Sequence, residues 1–207
     1  MANKNLQEKL IVCGIIAVIG VLYLSTVNSS LNMGGDNAIY LTLAKSLVST
    51  REYRMIYYPD NPPHFLYPPL FPLILSPIIY VWGYHLSLIK ILIILFGLLG
   101  YYYIYTLFKS KLEYKYNLSL IILSALSVPV LVYFHTIQPE AVYLLTSVLS
   151  LICFERYFNE KDWVSKNGGL CLFFLISSYY LRTAGITLLL GMIIFLLGEG
   201  FTYILLR

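Results

Sequence analysis

From Leu86 to Phe108 the chain carries a single charge, Lys90, and from Leu10 to Val27 it carries none. A helix needs about 20 apolar residues to cross about 30 Å of hydrocarbon. Two such runs in one chain constrain the fold more than any motif does. The bulk composition agrees with them. Of 207 residues, 59% are apolar and 12% charged, and mean hydropathy is +0.76. Soluble domains carry about 25% charged residues. These figures exclude an ordinary soluble domain, a disordered tail and a nucleic-acid binder.

Lys4 and Lys9 flank the first run, but it is long for a signal peptide and no A-x-A site follows. It reads as a retained anchor. Further spans are predicted at about 86–108, 116–134, 139–154 and 169–181, with a sixth from Gly185 to at least Leu197. A tight hairpin at Arg182-Thr183-Ala184-Gly185 would join the last two. The expected fold is all-α: a multi-pass transmembrane helical bundle of about six spans, forming one module over 1–207. Its large first loop, about 28–85, would be extracytoplasmic and carry interfacial helices.

Orientation follows from the basic residues, because short cytoplasmic loops collect Lys and Arg. With the N-terminus in the cytoplasm, Lys4, Lys9, Lys109, Lys111, Lys115, Arg156, Lys161, Lys166 and Arg207 lie inside. Lys45, Arg51, Arg54, Lys90 and Arg182 lie outside, a division of 9 and 5 among the 14. His64, His85, His135, Asp36, Asp60 and Glu140 then share the outer side. The expected location is the plasma or inner membrane, with the active face extracytoplasmic and the bilayer itself as a partner. The 20 tyrosines suit membrane boundaries, where the ring is wetted at one end. Cys13, Cys153 and Cys171 lie in apolar runs and read as small buried hydrophobes.

Four polar constellations stand out. Gly34-Gly35-Asp36-Asn37-Ala38-Ile39-Tyr40 opens a helix: the glycines permit a sharp turn, and Asp36 falls where an N-cap belongs. Asp36, Tyr40, Ala44 and Leu47 share one face of it, while Ile39, Leu43, Leu47 and Val48 form a stripe able to lie in the interface. Next, the prolines from Pro59 to Pro69 forbid a helix around His64. A short interfacial or re-entrant helix is predicted at Leu70–Trp82, closed by Gly83. Third, His135-Thr136-Ile137-Gln138-Pro139-Glu140 precedes the fourth span, where Glu140 either serves the helix end or lines a cavity beside Asp36. Last, Arg182 follows Tyr179-Tyr180-Leu181. It either snorkels to the surface or holds an anion such as phosphate.

No HExxH or H-x-x-x-H spacing occurs, so no metal or other cofactor is assigned, although a divalent ion among Asp36, Glu140, His64 and His135 stays open. No nucleotide-binding fingerprint occurs either.

In order and topology these pieces resemble the GT-C superfamily of membrane glycosyltransferases, in particular its family 39-like group of protein O-mannosyltransferases and aminoarabinose transferases. The matching features are an outer-loop acid followed by Y-x-x-x-A (Asp36, Tyr40, Ala44), the run Tyr67 to Pro72, the acid opening the fourth span (Glu140), and Leu181-Arg182 ending the fifth. The resemblance implies a sugar donor on a polyprenyl phosphate and a glycan, lipid or protein acceptor outside the membrane. It implies Asp36 as general base, and Arg182, then Lys45, Arg51 and Arg54, as phosphate ligands. Tyr40, His64 and Glu140 would complete the substrate site. The final run Phe201 to Arg207 looks like the start of another span, so the chain reads as an N-terminal fragment or a minimal member. The alternative is a non-catalytic lipid-binding or assembly subunit on the same scaffold.

Overall fold

The computed structural model describes the backbone of residues 2–31, 35–160 and 165–205, and the side chains of 6–31, 35–160 and 165–198. Gly34, Lys161 and the side chains of Lys4, Glu199 and 201–207 lie outside the described residues. Among those described the fold is all-helical: α1 Ala2–Ser25, α2 Asp36–Ser49, α3 Leu70–Trp82, α4 Leu86–Phe108, α5 Tyr114–Leu126, α6 Val128–His135, α7 Glu140–Glu160, α8 Lys166–Leu181 and α9 Gly185–Leu205.

Among the described residues three helices are long and apolar enough to cross a membrane: α1 from Leu6, α4 and α7. The bent pair α5–α6 would make a fourth. The apolar part of α9, Gly185–Gly198, is shorter. α8 has 16 residues, about 24 Å at 1.5 Å per residue, less than the hydrocarbon thickness. These apolar helices suit a bilayer environment.

Two helices are interrupted by proline, and in each the stranded carbonyl finds a hydroxyl. The predicted span 116–134 is broken at Ser127, and its halves meet at 60°. Pro129 lacks the N–H that would bond to Ala125, four residues back. The Ala125 carbonyl instead accepts from the Tyr23 hydroxyl of α1 at 2.5 Å. Inside α3, Pro77 removes the partner of Leu73, whose carbonyl accepts from Ser76 Oγ at 2.8 Å. Such repairs are required where water is scarce.

α4 is the central post. α1, α7 and the α5–α6 pair pack on it, around Ile89, Ile93, Ile94, Tyr101 and Phe134. α8 lies on α7 and α9 on α8. The crossing at the α8–α9 hairpin is close: a Cβ on Gly185 would stand 2.6 Å from the Tyr179 backbone nitrogen. The predicted hairpin is present, with Gly185 N–H donating to Arg182 O at 2.8 Å.

The sequence predicts an interfacial α2. In the structure α3 packs along α2: Leu43 and Ala44 have no exposed surface, while Ile39, Leu47 and Val48 of the stripe are half-buried. The polar Asn37, Thr42 and Ser46 are buried with Leu43 and Ala44. Ser46 Oγ donates to Glu52 O at 2.7 Å and accepts from Arg54 N–H at 3.3 Å. It thereby holds a small hairpin in which Arg54 bridges to Pro63.

Tyr23→Phe should lower stability by about 1 kcal/mol, the usual net worth of one buried hydrogen bond. Pro129→Ala restores an N–H for Ala125, so the cost of Tyr23→Phe should shrink in that background. Thermal unfolding of the single and double variants in detergent measures both.

Candidate functional site

Gly35, at φ 73° and ψ −125°, turns the chain into α2. Few residues other than glycine adopt that conformation. Asp36 is therefore the first residue of the helix and not its N-cap, and its side chain makes no capping bond. Freed from capping, Oδ1 accepts from the Tyr67 hydroxyl at 2.5 Å. Oδ2 has no protein hydrogen bond among the described residues.

Tyr67 is held from three sides. Its N–H donates to His64 Nε2 at 3.1 Å. Its ring stacks on His64 with centroids 5.3 Å apart and planes within 7°. On the other side it meets Tyr40 at 5.1 Å, which packs edge-on against Phe71 at 5.0 Å. Tyr53 donates to the carbonyl of Tyr67 at 3.0 Å and packs against His64. Burial lowers the His64 pKa, which favours the neutral ring that an Nε2 acceptor requires. His64 thus positions Tyr67. The prolines make this rigid arrangement possible by fixing the loop's φ angles.

Asn37 supplies the link to the rest of the bundle. Its Oδ1 accepts from Ile137 N–H at 2.7 Å, which ties the start of α2 to the turn between α6 and α7. Three residues on, Glu140 opens α7, and its Oε1 forms an ion pair with Arg182 Nη1 at the end of α8. Glu140 Oε2 is buried with no hydrogen-bond partner. The Arg182 side chain is 43% exposed and that of Glu140 20%, so the pair sits at the rim of the cluster. Only one of the five donors of this guanidinium is engaged within the described residues.

Electrostatics shows that these groups converge. Burial pushes the Tyr40 phenol up, the Asp36, Glu140 and Tyr67 charges add to the shift, and Arg182 opposes it. Tyr67 is pushed up to about 12, first by its hydrogen bond to Asp36, then by burial and by the Asp36 charge. Asp36, Tyr40, Glu140, Arg182 and His64, predicted from separate stretches of sequence, thus form one constellation.

The structure does not bring the other predicted cations there. Lys45 lies nine residues beyond Asp36, about 13 Å along α2. Arg54 pairs with Glu52 and donates to Asn61 O at 3.3 Å. Arg51 is exposed in the loop, at φ 58°. Arg182 is also not a bare cation at the surface, because Glu140 already neutralises it. Sequence reasoning placed Tyr67 only within a proline-rich run and missed the role of Asn37. A tyrosine amid prolines and an asparagine after the acid are their only traces in the sequence. Among the described residues no group of three or more His, Cys, Asp or Glu side chains is placed to hold a metal.

No family model matches the chain, and no curated protein or solved structure does either.

Removing the Asp36 charge should bring the Tyr67 phenol back from about 12 towards 10.0. The sign is that of a raised folded-state pKa: the bond's contribution is whole below pH 10 and is lost as pH rises towards 12. Alkaline absorbance titration, taken as the difference between wild type and Tyr67→Phe, should show one phenol ionising near 12. In the Asp36→Asn background the same difference should move down.

Proposed function

We propose that this chain is a membrane glycosyltransferase module that takes a sugar from a polyprenyl-phosphate donor and passes it to an extracytoplasmic acceptor. One observation carries the reading. A carboxylate with one oxygen unengaged and an arginine with spare donors converge at one end of an apolar helical bundle, and they come from α2 and α8. In this reading the Asp36 end faces outward, as the distribution of basic residues implies.

The chemistry follows from these groups. Asp36 Oδ2 takes the proton of the acceptor hydroxyl, whose oxygen attacks the anomeric carbon. The bond from that carbon to the phosphate oxygen breaks, and the phosphate leaves with the electron pair. Tyr67, donating to Oδ1, keeps the carboxylate aimed. Arg182 offers guanidinium N–H groups to the departing phosphate. Glu140 holds Arg182 in place but also competes with phosphate for it. A donor in the bilayer and a fixed carboxylate gain from proximity.

The Glu140–Arg182 ion pair favours one rival, a non-catalytic subunit that keeps the scaffold and uses the pair for packing. The two readings part on turnover. Asp36→Asn should lower transfer from a polyprenyl-phosphate sugar at least about 100-fold, the typical contribution of a general base, while the protein stays inserted and folded. Undiminished transfer would remove Asp36 from the mechanism. Absence of transfer by the wild type, with donor lipid still bound, would leave the subunit reading.

Arg182→Ala should raise the KM for the donor several-fold more than the KM for the acceptor. An equal rise in both would make the arginine structural. Steady-state kinetics with each substrate varied in turn distinguishes these outcomes.

A further inference from the structure

The end of the bundle opposite Asp36 holds a second polar site, with no part in the chemistry above. A cavity of about 140 Å³ lies between α1, α4 and α5, lined by Glu8, Tyr105, Lys109, Leu112, Tyr114 and Asn117. Tyr105 is 2% exposed and Asn117 1%. Three oxygens in this lining, Tyr105 Oη, Tyr114 Oη and Asn117 Oδ1, are buried without a hydrogen-bond partner. The other end of the Asn117 amide is used: Nδ2 donates to Tyr105 O at 2.9 Å. That bond fixes which way the amide points and leaves its acceptor facing the cavity. Buried polar atoms without partners are costly, and three around one space are best explained by a ligand.

The lining narrows the ligand's chemistry. An amide oxygen only accepts, so the ligand brings N–H or O–H groups. Glu8 adds a negative charge close enough to the Tyr105 phenol to interact with it. Lys109 adds a positive charge, with Nζ 6.0 Å from the centre of the Tyr105 ring. A molecule carrying both an ammonium and an anion fits a wall carrying both a carboxylate and an amine. The depth points to its source. Glu8 stands in the first turn of the apolar stretch Leu6–Ser25, Lys109 caps α4, and Tyr114 begins α5. All three are at the boundary where lipid headgroups lie.

We propose that this cavity binds the phosphoethanolamine headgroup of a membrane lipid. The ammonium donates to Asn117 Oδ1, Glu8 and a phenol oxygen. The phosphate accepts from the other phenol and lies towards Lys109.

Delipidated protein in detergent, titrated with phosphatidylethanolamine, phosphatidylcholine or phosphatidylglycerol and followed by native mass spectrometry, tests this. Phosphatidylethanolamine should bind about ten-fold more tightly than the others, because choline has no N–H and glycerol no charge. Glu8→Gln and Tyr114→Phe should each weaken it by a similar factor while leaving the thermal transition of the lipid-free protein in place. Equal binding of the three lipids would overturn the proposal, as would unchanged affinity in both variants or a cavity holding only water. If soluble phosphoethanolamine binds as tightly as the lipid, the site takes a free metabolite and the lipid assignment fails.

Discussion

Hydrocarbon supplies no hydrogen-bond partners, so each polar group folded into an apolar bundle must be satisfied by the protein itself. This constraint is visible wherever the helices of this protein are interrupted. Ala125 and Leu73 lose their N–H partners to prolines four residues later and recover hydroxyls from Tyr23 and Ser76. The first repair crosses from α1 to α5 and so fixes the geometry of the bend. A bend of 60° directs α6 back towards α1, where His135 Nε2 lies 2.7 Å from Thr26 Oγ1. The turn after α6 is thereby placed against α2.

That placement makes the Asp36 cluster possible. The bond between Ile137 and Asn37 joins a loop element to the head of α7, and α7 carries Glu140 to Arg182. Each carboxylate has one oxygen engaged and one without a hydrogen bond. Asp36 and Glu140 would repel each other at short range. Arg182 on one side and the Tyr67 hydroxyl on the other offset that repulsion.

The two ends of the bundle differ in kind. At the Asp36 end the polar groups engage one another and leave particular lone pairs and N–H groups outward. At the other end Lys111 pairs with Glu155 on the surface, while Tyr105, Tyr114 and Asn117 keep unpaired oxygens around a cavity. The first arrangement is a positioned set of charges. The second is the lining of a cavity that carries a carboxylate, an amine and unpaired oxygens.

Apolar run length, proline and glycine determined the all-helical fold and the positions of α3, α4 and the α8–α9 hairpin, because all three act locally. The choice of Asp36, Glu140 and Arg182 also came from residues in order along the chain. Tertiary structure decided the rest. It turned one predicted span into two helices, with the carbonyl stranded by Pro129 satisfied by a hydroxyl on another helix. It packed α2 against α3 and, through Asn37, against the turn before α7. It made Tyr67 the partner of Asp36 and separated Arg51 and Arg54 from the site. Those outcomes depend on contacts between residues dozens of positions apart, and no local pattern encodes them.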